Sequence, residues 1–176
     1  MAIEPGTYAL GPDAGTLWVR TGRTGAVAKA GHDLLIHVTA WEATLEVGEH
    51  SSATLSADAT SLRVQEGSGG MKALDDDDLA NIHQTIDDEV LMGTEIAFRS
   101  TSVRAEGDGI AVEGELSLSG ATHPVAFQLA VAGGRLTGSA VVTQTAWGMK
   151  PYTALFGALK VADDVTVGID AELRPA

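Results

Sequence analysis

The sequence predicts an all-β chain folded as a single antiparallel up-and-down β-barrel, with one amphipathic helix at about 75–91. Two-residue alternation of apolar and polar side chains, bounded by Gly, Asp and Asn, fills most of the 176 residues. Short turn sequences join the alternating stretches, which is the pattern of sequential hairpins. One segment, LDDDDLANIHQTIDDEVLM at 74–92, departs from alternation and takes helical spacing instead.

The first strand is read at 15–20 (GTLWVR), after the turn Gly11-Pro12-Asp13. A long second strand follows at 34–47 (LLIHVTAWEATLEV) and a third at 54–64. Between the first two, residues 26–30 suit a short helical segment, closely flanked by Gly25 and Gly31. Residues 64–72 (VQEGSGGMK) read as the loop leading to the helix. They are a linker rather than a phosphate cradle, because no Walker pattern is present.

In the helix, Leu79, Ile82, Ile86 and Val90 form one apolar stripe. Asp75 to Asp78 supply an N-cap and complement the positive end of the helix dipole, and Gly93 is the stop signal. Strands resume at 95–104 (EIAFRSTSVR), 110–118 (IAVEGELSL), 123–131 (HPVAFQLAV), 135–147 and 165–173 (VTVGIDAEL). Their turns are Glu106-Gly107-Asp108-Gly109, Ser119-Gly120 and Gly133-Gly134. No internal repeat or composition shift divides the chain, so residues 1–176 are read as one domain.

A fold of this length buries roughly 70% of its unfolded surface, so one sizeable core is available. At 44% hydrophobic and 20% charged the chain is not a disordered tail. No apolar run approaches the roughly 20 residues of a membrane-spanning helix. Twenty-four acidic residues against eleven Lys and Arg give a net charge of -13, which repels phosphate backbones and excludes nucleic acid as a partner. With no cysteine there is no disulfide, thiolate metal site or cysteine nucleophile. The first residues lack the basic and apolar segments of a secretory signal, so a cytoplasmic protein is expected.

At least eight antiparallel strands leave exposed edges unless the sheet closes, and a barrel of about eight has an interior wide enough for side chains or one small ligand. A two-sheet sandwich is the competing arrangement. Gly114, Gly138, Ala140 and Gly168 interrupt the apolar faces with small residues, giving either an internal space or points of sheet curvature.

Three stretches carry a family resemblance: 95–104, 112–129 (VEGELSLSGATHPVAFQL), and 147–161 (WGMKPYTALFGALKV) with 164–173. Their marks are F-x-S-T at 98–101, G-x-L-x-L-x-G-x-T-x-P-V spacing at 114–125, and the Trp147-Gly148 pair. Together they resemble the YceI-like family. Gly31-His32-Asp33-Leu34 resembles a GHD-containing subgroup, while the helix stands where many members carry an aromatic-rich segment. The resemblance implies a lipocalin-like barrel whose lumen binds long isoprenoid chains or similar amphiphiles, without enzyme activity.

On that reading Trp18, Phe98, Phe127 and Trp147 line the ligand axis, Tyr152 and Phe156 belong to a segment closing one end, and His32 is a candidate head-group contact. No catalytic residue, metal ligand or cofactor is expected. The anticipated ligand is an apolar small molecule such as a co-purified isoprenoid, quinone or fatty-acyl lipid, and a homodimer is compatible with the sequence. His32 and Asp33 alternatively satisfy turn backbone groups. A small barrel enzyme of isomerase or cyclase type would draw on His32, Asp33, Arg99 and Tyr152. The third reading is a packed barrel acting as a stress-associated interaction module.

Overall fold

The computed structural model describes residues 3–70, 73–154 and 159–176. In chain order the strands are β1 (Gly6–Leu10), β2 (Gly15–Arg20), β3 (Arg23–Thr24), β4 (Asp33–Val38), β5 (Trp41–Val47), β6 (Ser52–Ala57) and β7 (Leu62–Ser68). After helix α1 (Asp76–Thr85) come β8 (Ile96–Glu106), β9 (Gly109–Leu118), β10 (Ala121–Ala132), β11 (Arg135–Thr143), β12 (Thr153–Ala154), β13 (Leu159–Val161) and β14 (Asp164–Glu172). Eleven of them form one antiparallel sheet in the order β1-β5-β6-β8-β9-β10-β11-β14-β2-β4-β7. The sheet curls so far that each of its eleven strands contributes lining residues to one cavity, from Leu10 of β1 to Leu62 of β7. This is the antiparallel barrel-like fold that the alternation predicts.

Hydrophobic burial concentrates on one side of the sheet. Ile110, Val112 and Leu136 are the largest fully buried side chains, and Val131 and Ala171 join them in the core. Ile110, Val112 and Val131 belong to this packed part and do not line the cavity. The barrel is therefore solid around Ile110, Val112 and Val131, toward the β10–β11 turn, and hollow along the rest of these strands.

Both end strands are covered, as edge strands of soluble proteins must be. Along β1, the C-terminal tail supplies bonds from Ala9 N–H to Arg174 O at 3.2 Å and from Ala176 N–H to Thr7 O at 2.8 Å. On β7, the Val64 N–H donates to Nε2 of His83 in α1 at 3.1 Å. The helix carries the chain across the cavity from β7 to β8, which lies beside β6.

Two predicted strands each prove to be two. Residues 34–47 break at Thr39-Ala40, and 54–64 break at 58–61. The breaks clasp each other: Thr39 N–H and hydroxyl both donate to Ser61 O, Ala40 N–H donates to Ser61 Oγ, and Asp58 N–H donates to Ala40 O. Asp58 Oδ1 accepts from Thr60 N–H at 2.8 Å and from its hydroxyl at 2.7 Å. The Thr60 hydroxyl bond, then the backbone bond, hold the Asp58 carboxyl below its ordinary range. This side-chain turn breaks the strand without Gly or Pro to announce it.

The strand expected at 135–147 ends at Thr143, and residues Gln144–Trp147 form a 3-10 turn that closes on Gly148 at φ 72°. Thr145 fixes this turn through N–H and hydroxyl bonds to the Asp163 carboxylate. The segment at 26–30 contains a 3-10 turn, Ala28–Ala30. β1 was not anticipated, nor was the small sheet β12-β13-β3.

Helix α1 begins as expected. Asp75 is its N-cap and forms a reciprocal capping box with Asp78. At Ile86–Val90 the helix widens into a π turn, in which Leu91 N–H donates to Ile86 O at 2.9 Å. Beyond the extra residue Leu91 is buried and lines the cavity, whereas Leu79, in the first turn of α1, takes no part in the cavity wall.

Candidate functional site

Strand register decides which side chains face inward. Across β9 and β10, Val112, Gly114, Leu116 and Leu118 stand opposite Phe127, Val125, His123 and Ala121, and opposed residues share a face. Across β11 and β14, Gly138, Ala140 and Val142 stand opposite Ile169, Val167 and Val165. These faces enclose a cavity of about 430 Å³. Such a volume lies within the usual range for small-molecule sites, roughly 300–1,000 Å³.

The lining is aliphatic and aromatic, and among the described residues it contains no Asp, Glu, Lys, Arg or His. The polar residues along it are Thr21, Asn81, Thr85, Gln144 and Tyr152, with Thr44, Thr54 and Ser139 at exposed, outward positions between inward-facing neighbours. Helix α1 and the π turn close part of the opening with Asn81, Ile82, Thr85, Ile86 and Val90. Tyr152, 45% exposed, and Val161 of β13 lie on the wall as well.

Phe98 and Phe127 both line the cavity, their ring centroids 5.5 Å apart at a 56° tilt. Phe98 lies over Gly114: a Cβ there would come within 2.5 Å of Phe98 Cζ. A Cβ on Gly138 would likewise come within 2.5 Å of Leu129 Cδ2. These two glycines seat their neighbours' side chains, so the space they leave is filled.

Trp18 lies outside the lumen, not along the ligand axis. Leu17 and Val19 take the inward positions of β2, which turns Trp18 outward, where its indole covers Gly168 and the Arg20 guanidinium sits 5.4 Å from the ring centroid. Trp147 is buried but is not a lining residue. It packs at the strand ends, donating from Nε1 to Leu116 O at 2.8 Å and meeting His123 edge-on at 5.5 Å.

His32 is also outside the lumen. It lies against Gly70, and the neighbouring Asp33 faces Arg23 at 3.5 Å. Arg99 stands on the outer face opposite Glu115 and Thr54. Of the group His32, Asp33, Arg99 and Tyr152, Tyr152 alone lines the cavity. Phe156 lies outside the described residues. Among the described residues no three His, Cys, Asp or Glu side chains are grouped to hold a metal ion.

Lining residues beyond the expected set include Asn81, Thr85, Met149 and Gln144. Gln144 has a signal in the sequence: it continues the inward series Leu136, Gly138, Ala140, Val142 at a spacing of two. A polar residue at the end of an apolar face marks a boundary of the lumen.

A family model described as the YceI-like domain matches residues 19–173. The crystal structure of BcnA from Burkholderia cenocepacia superposes with a TM-score of 0.61 at 15% identity, covering 88% of this chain and 94% of that one. The YceI protein of Campylobacter jejuni superposes with a TM-score of 0.60 at 9% identity, covering 80% and 84%. No curated protein matches the chain by sequence. The curled sheet, the apolar lumen and the match over most of its length place this chain in the YceI-like family.

Proposed function

We propose that the protein is a non-enzymatic carrier that encloses a long apolar amphiphile, of isoprenoid, quinone or fatty-acyl type, within the barrel. The observation that carries this reading is the cavity of about 430 Å³ whose lining, among the described residues, contains no ionisable side chain apart from the Tyr152 phenol. An apolar chain needs little else: each methylene removed from water contributes about 0.8 kcal/mol. That neither Arg99 nor Asp33 lines the lumen supports a carrier over an isomerase or cyclase, since acid and base groups must reach the reacting atoms. The net charge of -13 supports an occupant other than nucleic acid.

Titration with the polarity-sensitive probe N-phenyl-1-naphthylamine tests this. Saturable one-to-one binding with a blue-shifted emission is expected. Ala140→Phe, which adds a ring to the inner face of β11, should weaken that binding about tenfold while the chain stays folded by circular dichroism. Unsaturable binding, or equal affinity in the two proteins, would contradict enclosure.

A further inference from the structure

Among the described residues, Gln144 is the buried polar residue on the wall of the lumen, and its surroundings leave its side chain half satisfied. Gln144 is 5% exposed, yet it is a lining residue. Its Nε2 donates to Ala162 O at 3.1 Å. Its backbone is fully engaged, with N–H donating to Asp163 O and the carbonyl accepting from Met149 N–H at 3.2 Å. Among the described residues its Oε1 and the second Nε2 hydrogen have no partner. The free part of the amide opens onto the lumen, where a ligand atom that completes its hydrogen bonds gains the net worth of a hydrogen bond, about 0.5–1.5 kcal/mol.

The position is fixed from both sides. Gln144 opens the 3-10 turn that ends at Trp147, and Trp147 is anchored to Leu116 O while Thr145 is tied to Asp163. The side chain cannot swing into solvent without breaking the Ala162 bond. The nearest lysine in sequence past the turn, Lys150, is exposed and does not line the cavity.

We propose that Gln144 is the head-group subsite of the lumen and that it selects uncharged heads able to both donate and accept a hydrogen bond, a hydroxyl or a primary amide. Carboxylates and phosphates are disfavoured, because among the described residues the lining offers no cation to offset their desolvation. The inference rests on the carrier reading and narrows it to neutral amphiphiles.

The test is displacement of N-phenyl-1-naphthylamine by dodecane, dodecanol, dodecanamide and dodecanoate, at a mildly alkaline pH where the acid is ionised. On the unmodified protein, dodecanol and dodecanamide should bind several-fold to about tenfold more tightly than dodecane, and at least tenfold more tightly than dodecanoate. Gln144→Leu should remove the advantage of dodecanol over dodecane, bringing the ratio of their affinities to about one. Dodecanoate binding as tightly as dodecanol would overturn the subsite while leaving the carrier standing. A dodecanol advantage that persists in folded Gln144→Leu would overturn it equally. Failure of every chain, dodecane included, to displace the probe would overturn both readings. Should the leucine variant not fold, the ligand series on the unmodified protein decides the matter alone.

Discussion

Gly114 shows how single residues set the width of the lumen. It stands on the inner face of β9, with the Phe98 ring folded across it and the Arg99 carbonyl behind. Any side chain there must displace both, and the carbonyl belongs to a paired strand that cannot retreat freely. Gly114→Ala is expected to cost about 1–3 kcal/mol of stability, the usual range for overpacking. Urea unfolding would show it as a lower midpoint with an unchanged slope; an unchanged midpoint would mean that Phe98 moves aside at no cost. The glycine was visible in the sequence, but its partner was not, because the choice between open space and a seated ring depends on which strand lies alongside. For Trp18 the same limit applied. Its size suggested a lumen anchor, whereas register with Gly168 gave it an outer groove.

At the scale of elements, α1 was the most legible part of the chain. Four consecutive acids before a helical stripe specify an N-cap, and the structure supplies a complete capping box at Asp75 and Asp78. The π turn that follows was not legible, since its sequence, IDDEV, continues an ordinary helical period. None of the helix is fully buried, which suits an element that covers an opening rather than a core. Asp75→Ala should therefore act locally, weakening the helix by about 1 kcal/mol. Hydrogen exchange is the appropriate measurement: amides of 76–85 should exchange several-fold faster while those of β9 and β10 are unaffected. Equal acceleration in the barrel would show that the helix and sheet unfold as one unit. The strand breaks at Thr39-Ala40 and 58–61 were hidden for a related reason. The inward apolar positions slip by one residue at each, from Ile36 and Val38 to Ala43 and Leu45 and from Leu55 and Ala57 to Leu62, a slip short enough to read as one strand, and the corners are made by threonine, serine and aspartate side chains that only meet in the folded chain.

For the whole molecule, periodicity predicted the antiparallel class and the run of hairpins from β8 to β11, each joined to the next by a turn of glycine or serine. The rest of the sheet order was beyond it. β7 leaves the meander to pair with β4, and β1 crosses to β5, pairings between segments far apart in sequence whose energies arise from shared burial rather than local pattern. β3, β12 and β13 are two or three residues long, too short to show a period at all. The question that the sequence left between a packed core and a cavity resolves into both: the region of Ile110, Val112 and Val131 is packed, while the inner faces that carry Leu116, Phe127, Ala140 and Val167 surround a hollow. A hollow of this kind is stable in water only if it is dry or filled, and an aliphatic wall favours a lipid occupant over ordered water.

Native mass spectrometry of the intact protein as purified from cells, paired with mass analysis of its organic extract, tests that central claim most directly. The expected result is a population heavier than the 18.1 kDa chain by one neutral amphiphile, with the same mass recovered in the extract. A spectrum of the bare chain alone, unchanged after incubation with a long-chain alcohol, would contradict it.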